Sequence, residues 1–209
     1  YAYRFISDVN EPFVKPLLDV FNKTAIQVME GQQMDMDFEK RLSVNEDEYI
    51  QMISYKTSVL LATALQMGAI IGQASEADQQ TIYEFGLKLG LAFQIKDDYL
   101  DAYGDARTGK RKGGDIIQNK KTFLVVSALQ GANEEEITRY QTMLLEKDTD
   151  KKIENVLEFF KNRQVPEKVA AQMNLFYQDA LASLYKLSID EMHKHALQQM
   201  AHMIYHREY

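Results

Sequence analysis

The stretch FQIKDDYLDAYGDARTGKRKGGDIIQNKK, Phe93 to Lys121, decides how the rest of the chain is read. Its first half sets carboxylates into an apolar helical pattern, and its second half is glycine-rich and basic. On a helix, Asp97 and Asp101 stand four residues apart and Asp98 and Asp101 three apart, which puts the carboxylates on one face about a turn from each other. Like charges so spaced destabilise an isolated helix by about a few tenths of a kcal/mol. Gln94, one turn earlier, extends the same polar ridge, while Phe93, Ile95 and Leu100 are placed to bury the other side. A charge run is ordinarily a solvated face. Here the ridge lies inside a strongly apolar helix and is followed at once by a basic loop. Hard oxygens at i and i+4 suit Mg²⁺, which keeps several waters and shares its shell with substrate phosphates. The spacing does not fit an EF-hand loop, whose oxygens alternate and end in a bidentate glutamate.

The composition sets the frame. The chain has 209 residues, 45% of them apolar, enough for one domain, residues 1–209, with a sizeable core. Three prolines and ten glycines leave room for long helices. A net charge of −7 argues against a nucleic-acid binder, which needs a basic face. An acidic protein still binds an anionic ligand when divalent cations bridge the two. With no cysteine there is neither a disulfide framework nor a thiolate zinc site, which fits a cytoplasmic setting. No apolar run approaches the roughly 20 residues needed to span a bilayer, and the N-terminus shows no secretory signal pattern.

Helical periodicity runs almost throughout, with no convincing alternating strand. Asn10 is placed to cap a helix with Glu11 and Pro12 in its first turn and an apolar stripe from Phe13 through Leu17, Val20, Phe21 and Ile26 to Met29. Asn45 and Glu48 form a capping-box-like start for Tyr49 to Leu65. Residues 68–73 read as a glycine-punctuated piece. Ser75 with Asp78 starts a helix that runs to about Tyr103, and 104–115 read as a loop. Lys120 to Leu129 is helical again, Asn133 with Glu136 starts another helix, and Thr149 the next. Val165-Pro166 marks a break, after which one last helix is expected from Pro166 nearly to Arg207. The reading is one all-α domain.

Basic and amide groups complete the candidate site. Lys110, Arg111 and Lys112 sit among Gly109, Gly113 and Gly114, where close backbone approach and point charges suit phosphate, although a flexible charged turn has the same composition. Asp115 and Lys120 follow. Lys56-Thr57 stands inside an otherwise apolar helix, where a lone lysine ordinarily snorkels to solvent. Gly31-Gln32-Gln33-Met34-Asp35 closes the first complete helix with paired amides and a carboxylate.

Taken in order, GQQMD, YKTSVL, FQIKDDYLDAYGD, TGKRKGGDI and NKKT resemble the polyprenyl diphosphate synthases, the trans-prenyltransferases that include farnesyl and geranylgeranyl diphosphate synthases. The resemblance runs from about Gln32 to Lys121 by motif and onward by helix pattern. It implies an all-α helical bundle around a deep central cavity. It implies head-to-tail condensation of isopentenyl diphosphate with an allylic diphosphate, with Mg²⁺ as cofactor and a homodimer through the helices flanking GQQMD. By the same resemblance Asp97, Asp98 and Asp101 match the second aspartate-rich motif, which holds Mg²⁺ against the allylic diphosphate. Lys56, Thr57 and Lys110 match the groups that hold that diphosphate, and Gln94 a polar residue facing the reacting centre. Gln32 and Asp35 match positions near the diphosphate and the growing cation, and Asp115 and Lys120 a pair supporting the loop and its charged rim. Arg207 resembles the basic tail that closes over the family's site.

The chemistry explains these residue types. Breaking the allylic C–O bond leaves a carbocation and pyrophosphate. Metal and lysine offset the charge that builds on the leaving group. Phe93 could offer a ring face to the cation, worth about 1–2 kcal/mol when desolvated, or could simply pack the core. Water must be excluded.

The sequence departs from the family in lacking the first aspartate-rich motif, with its arginine and the isopentenyl diphosphate residues. The chain opens abruptly at YAYRFISDVNEP. The expectation is of a fragment without the N-terminal helices, with half the metal site and little activity alone, and product length is unreadable. Two other readings stay open: a non-catalytic helical partner of an active synthase, and a class I terpene cyclase or squalene-type synthase. Retention of Lys56 and Lys110 favours condensation. His193, His195, His202 and His206 lie near the C-terminus, and the last two have i, i+4 metal spacing, but no carboxylate pattern accompanies them.

Overall fold

Helix caps set the segmentation. The Asn45 side chain accepts from the Glu48 backbone N–H while the Glu48 carboxylate accepts from the Asn45 N–H, and Asn133 with Glu136 repeats the arrangement. Such caps are worth about 1 kcal/mol each. Ser75, Asp148 and Asp190 likewise accept from first-turn N–H groups. The structure, a computed structural model, describes residues 1–41, 43–104 and 112–207. Among these are α1 (Ala2–Ser7), α2 (Glu11–Glu39), α3 (Glu46–Ile53), a π-helical turn (Ser54–Ser58), α4 (Val59–Ile71) and α5 (Glu76–Tyr103). There follow α6 (Gly114–Ile117), α7 (Phe123–Leu129), α8 (Glu134–Leu144), α9 (Thr149–Asn162), α10 (Val165–Tyr185) and α11 (Glu191–His206), with no strand among the described residues.

Several boundaries differ from expectation. Asn10 holds the N-cap position of α2, with Pro12 in the first turn, but its side chain makes no capping bond. α2 does not stop at the GQQMD segment; it continues one turn further to Glu39, burying Phe38 against α3. The glycine-punctuated piece is the C-terminal part of α4, because a glycine inside a helix costs only about 1 kcal/mol and packing overrides it. The expected single C-terminal helix is two. Leu187 turns into the core at the break, and Asp190 caps α11 by accepting from His193 N.

α5 is the central helix, packed on one side against α4 and on another along α10. Its fully buried Phe85 and Leu89 join Ala180 and Leu184 of α10 in one apolar cluster. Further along, its Leu91 and Ile95 join a larger cluster with Phe123 of α7, Phe160 of α9 and Val169 of α10. Each such side chain contributes at most about 1.5–3 kcal/mol by burial. α7 lies inside the molecule, with every residue from Phe123 to Ala128 buried. The last turns of α5 are thereby held between α3, α6 and α7, with their outer side facing a hollow.

Candidate active site

The π turn places the first pair of functional side chains. α3 and α4 would be one helix but for Ser54–Ser58, which carries Lys56 and Thr57. Such turns insert a residue and re-aim the side chains around them, often at functional sites. Two glycines from other helices press on it. A Cβ on Gly31 would strike Lys56 N and the Tyr55 backbone, and one on Gly90 would stand 2.7 Å from Ser58 Cα. α2 and α5 therefore approach the turn backbone to backbone, which only glycine permits. Across these contacts Lys56 Nζ pairs with Asp35 Oδ2 at 2.5 Å, and Thr57 Oγ1 donates to Gln94 Oε1 at 3.0 Å.

The hollow beside them has a volume of about 500 Å³. It brings together Asp35 from α2, Lys56 and Thr57 from the π turn, Gln94, Asp97, Asp98 and Asp101 from α5, and Lys120 beyond α6. Tyr49, Lys121 and Thr122 also line it. Both Lys56 and Lys120 stand paired with carboxylates, Lys120 with Asp115 at 2.7 Å. That hydrogen bond raises the Lys120 pKa, whereas burial lowers that of Lys121. Asp101 caps the turn at α6: its Oδ2 accepts from Asp115 N at 2.9 Å and its carbonyl from Gly113 N at 2.7 Å. Partial burial raises its pKa, opposed by the bond from Asp115 N.

All three aspartates line the hollow, but they differ in burial. Asp97 is solvent-accessible and paired with Arg207, Asp101 is half-buried, and Asp98 is only 5% exposed, with its carboxylate turned into the protein. Its Oδ2 accepts from the Tyr49 hydroxyl and from Phe123 N at 2.9 Å, and its Oδ1 from Gln94 Nε2 at 3.2 Å. Burial pushes this carboxyl up to about 7 against the pull of those three donors. The difference in burial follows from helix geometry: at 3.6 residues per turn, neighbours in sequence diverge by about 100°. Asp98 falls on the stripe of buried Leu91, Ile95 and Ala102.

The remaining candidates lie elsewhere. Gln32 is exposed and outside the lining of the hollow. Phe93 does not line it either; its ring carries the Arg207 guanidinium, 3.9 Å from the centroid, and Arg207 also donates to Phe93 O and to Asp97 Oδ1, each at 3.2 Å. Lys110 and Arg111 lie outside the described residues. The His202 and His206 rings stand 4.1 Å apart. Among the described residues, no group of three or more histidine or acidic side chains is placed to hold a metal. Sequence reasoning missed Tyr49, whose signal was its place on the apolar side of α3, and Lys121, next to a residue already chosen.

A family model described as polyprenyl synthetase matches residues 1–160. The chain belongs to the polyprenyl synthetase family. It is 40% identical, over 156 residues, to a short chain isoprenyl diphosphate synthase of Methanothermobacter thermautotrophicus, covering 74% of this chain and 48% of that one. It is 41% identical, over 132 residues, to the geranylgeranyl diphosphate synthase of Methanosarcina mazei, covering 62% and 41%. Among solved structures, a geranylgeranyl pyrophosphate synthase superposes with TM-score 0.92 at 40% identity, over 100% of this chain and 65% of that one. The synthetase from Pyrococcus horikoshii gives 0.90 at 28%, over 99% and 64%. The chain thus spans about half the length of the curated relatives it matches. The fold is the all-α isoprenoid synthase bundle of this family.

Whether the residues fit Mg²⁺ turns on the donor set. Asp97 and Asp101 present hard carboxylate oxygens at i and i+4 beside the hollow. Two carboxylates completed by phosphate oxygens and waters are what that ion commonly takes from a protein. The fit therefore holds with a diphosphate as co-ligand. No helix among the described residues is long and apolar enough to cross a membrane.

Proposed function

We propose that the protein joins isopentenyl diphosphate to an allylic diphosphate, head to tail, to give a longer polyprenyl diphosphate. The observation that carries this reading is the meeting of Asp97 and Asp101 with Lys56 and Lys120 around one hollow, although the two lysines lie far apart in the chain. In this reading Asp97 and Asp101 would hold Mg²⁺, which would supply positive charge to offset that of the departing diphosphate. Lys56 and Lys110 give their ammonium groups to its oxygens, Lys56 in exchange for Asp35, with Thr57 donating beside them. Lys120 keeps the rim of the hollow basic. Asp35, freed from Lys56, and Gln94 face the carbon that becomes electron-poor. Met52, Ile53 and Leu100 give the hollow apolar walls that keep water from that carbon.

Gln32 and Phe93 lie outside the lining of the hollow and enter this reading only by the resemblance, and Arg207 reaches the site through Asp97. The curated relatives' names support a short-chain product. Ile26 and Met29 of α2 remain 54% and 63% exposed, an apolar stripe that supports a homodimer through this helix. A cytoplasmic enzyme fits the absence of cysteine. The test is an assay of the full-length protein with dimethylallyl, geranyl or farnesyl diphosphate, isopentenyl diphosphate and Mg²⁺, with products sized by chromatography. Isopentenyl-dependent chain extension supports the reading. Cyclised or head-to-head products, or none with any of the three, overturn it.

A further inference from the structure

We propose that Asp98 is a positioning residue and not a metal ligand: with Tyr49 it forms an internal latch that fixes how Asp97 and Asp101 face the hollow. The inference deepens the metal reading above and rests on it.

The bonds of Asp98 carry the argument. A carboxylate has about four lone-pair directions, and three are taken, by Tyr49, Phe123 N and Gln94. Each donor comes from a separate part of the site. Tyr49 belongs to α3, just ahead of the π turn, and its ring is buried, so its hydroxyl needs an internal acceptor. Phe123 N is the first helical N–H of α7, where Thr122 at the N-cap makes no side-chain bond. α7 is buried, so that N–H has no water to turn to. Asp98 supplies the acceptor that this N–H would otherwise lack.

The third bond continues the chain. Gln94 gives its amide N–H to Asp98, which leaves its carbonyl oxygen to accept from Thr57. A hydrogen-bonded line thus runs Thr57–Gln94–Asp98–Tyr49, tying the π turn to α5 and back to α3. Asp98 joins α3, α5 and α7 at the level of Asp97 and Asp101, and direct coordination would require it to release bonds those elements depend on. Tyr49 is then a positioning residue as well, since its hydroxyl acts on the site only through Asp98.

The test counts Mn²⁺ bound to the protein in the presence of inorganic pyrophosphate, by electron paramagnetic resonance, after circular dichroism has confirmed the fold of each variant. Tyr49→Phe removes no group able to touch the metal, yet it is expected to weaken Mn²⁺ binding by roughly 10-fold, the usual scale when a ligand's support is lost. Asp98→Asn is expected to match it, and the double variant to be no worse than either, since both break one latch. In ¹⁷O-water, line broadening is expected to show an added coordinated water for Asp97→Asn but not for Asp98→Asn. Wild-type Mn²⁺ affinity in Tyr49→Phe, or an added water in Asp98→Asn, overturns the proposal. If Asp98→Asn fails to fold, the Tyr49→Phe result decides alone. If Asp97→Asn also binds Mn²⁺ as wild type does, the metal reading itself falls, and this inference with it.

Discussion

Arg207 donates to Asp97 Oδ1 at 3.2 Å, joining the end of α11 to the acidic turn of α5. The pair is partly exposed, so its strength is at most about 1 kcal/mol. An arginine there competes with any cation for the same oxygen. Arg207→Gln is therefore expected to tighten Mg²⁺ binding in the presence of pyrophosphate, by up to about 5-fold. Calorimetric titration at low salt checks this, and unchanged or weaker affinity argues that the arginine does not compete.

The proposed chemistry builds negative charge on the departing diphosphate, to be offset by the lysines and by the metal that Asp97 would hold. Asp97→Ala and Lys110→Ala, in the full-length protein, are each expected to lower kcat/KM by at least about a hundredfold, roughly 2.7 kcal/mol. Steady-state kinetics with an allylic diphosphate checks both, and wild-type values in either variant place the site elsewhere.

The glycines around the π turn make a stability prediction with an internal control. Gly90→Ala puts a methyl 2.7 Å from Ser58 Cα, and overpacking of this kind costs about 1–3 kcal/mol. Gly68 lies within α4, where an added methyl meets nothing within 4 Å, so Gly68→Ala is expected to stabilise by about 0.5–1 kcal/mol. Urea unfolding of the two variants checks the opposite signs.

Asp98 makes the stability pH-dependent. Burial raises its carboxyl from 3.8 to about 7, so between those values the folded chain keeps a proton that the unfolded chain has released. The contribution to stability is full below the lower value. It falls as pH rises, by at most about 1.4 kcal/mol per unit, and is gone above the upper one. Urea midpoints of the wild type, measured from about pH 4.5 to 7.5, are expected to decline relative to those of Asp98→Asn. Parallel profiles contradict the assignment.

The elements were largely legible because their signals are local. Asn45 with Glu48, Asn133 with Glu136, and Ser75 with Asp78 are caps that a short window displays. The meeting of Lys56, Gln94 and Lys120 was legible only through the resemblance, since no local pattern joins positions so far apart in the chain. The inward turn of Asp98 was legible in principle. Leu91, Ile95 and Ala102 mark its stripe as apolar, and the step of about 100° per residue sets it toward that stripe and away from Asp97. The π turn was not legible at all. It is set by Gly31 and Gly90 pressing from α2 and α5, and the SYKTS stretch carries no breaker of its own. Likewise α10 ends at Tyr185 and Asp190 caps α11 in a stretch without proline or glycine, so the break near the C-terminus has no breaker residue to mark it.

The central claim is that carboxylates and ammonium groups around this hollow clasp a diphosphate through Mg²⁺. Calorimetry with a non-reacting allylic thiolodiphosphate, with and without Mg²⁺, measures it most directly. Binding is predicted to require the ion and to weaken at least about 10-fold in both Asp97→Ala and Lys56→Met. Binding that ignores Mg²⁺, or that survives both substitutions unchanged, contradicts the account.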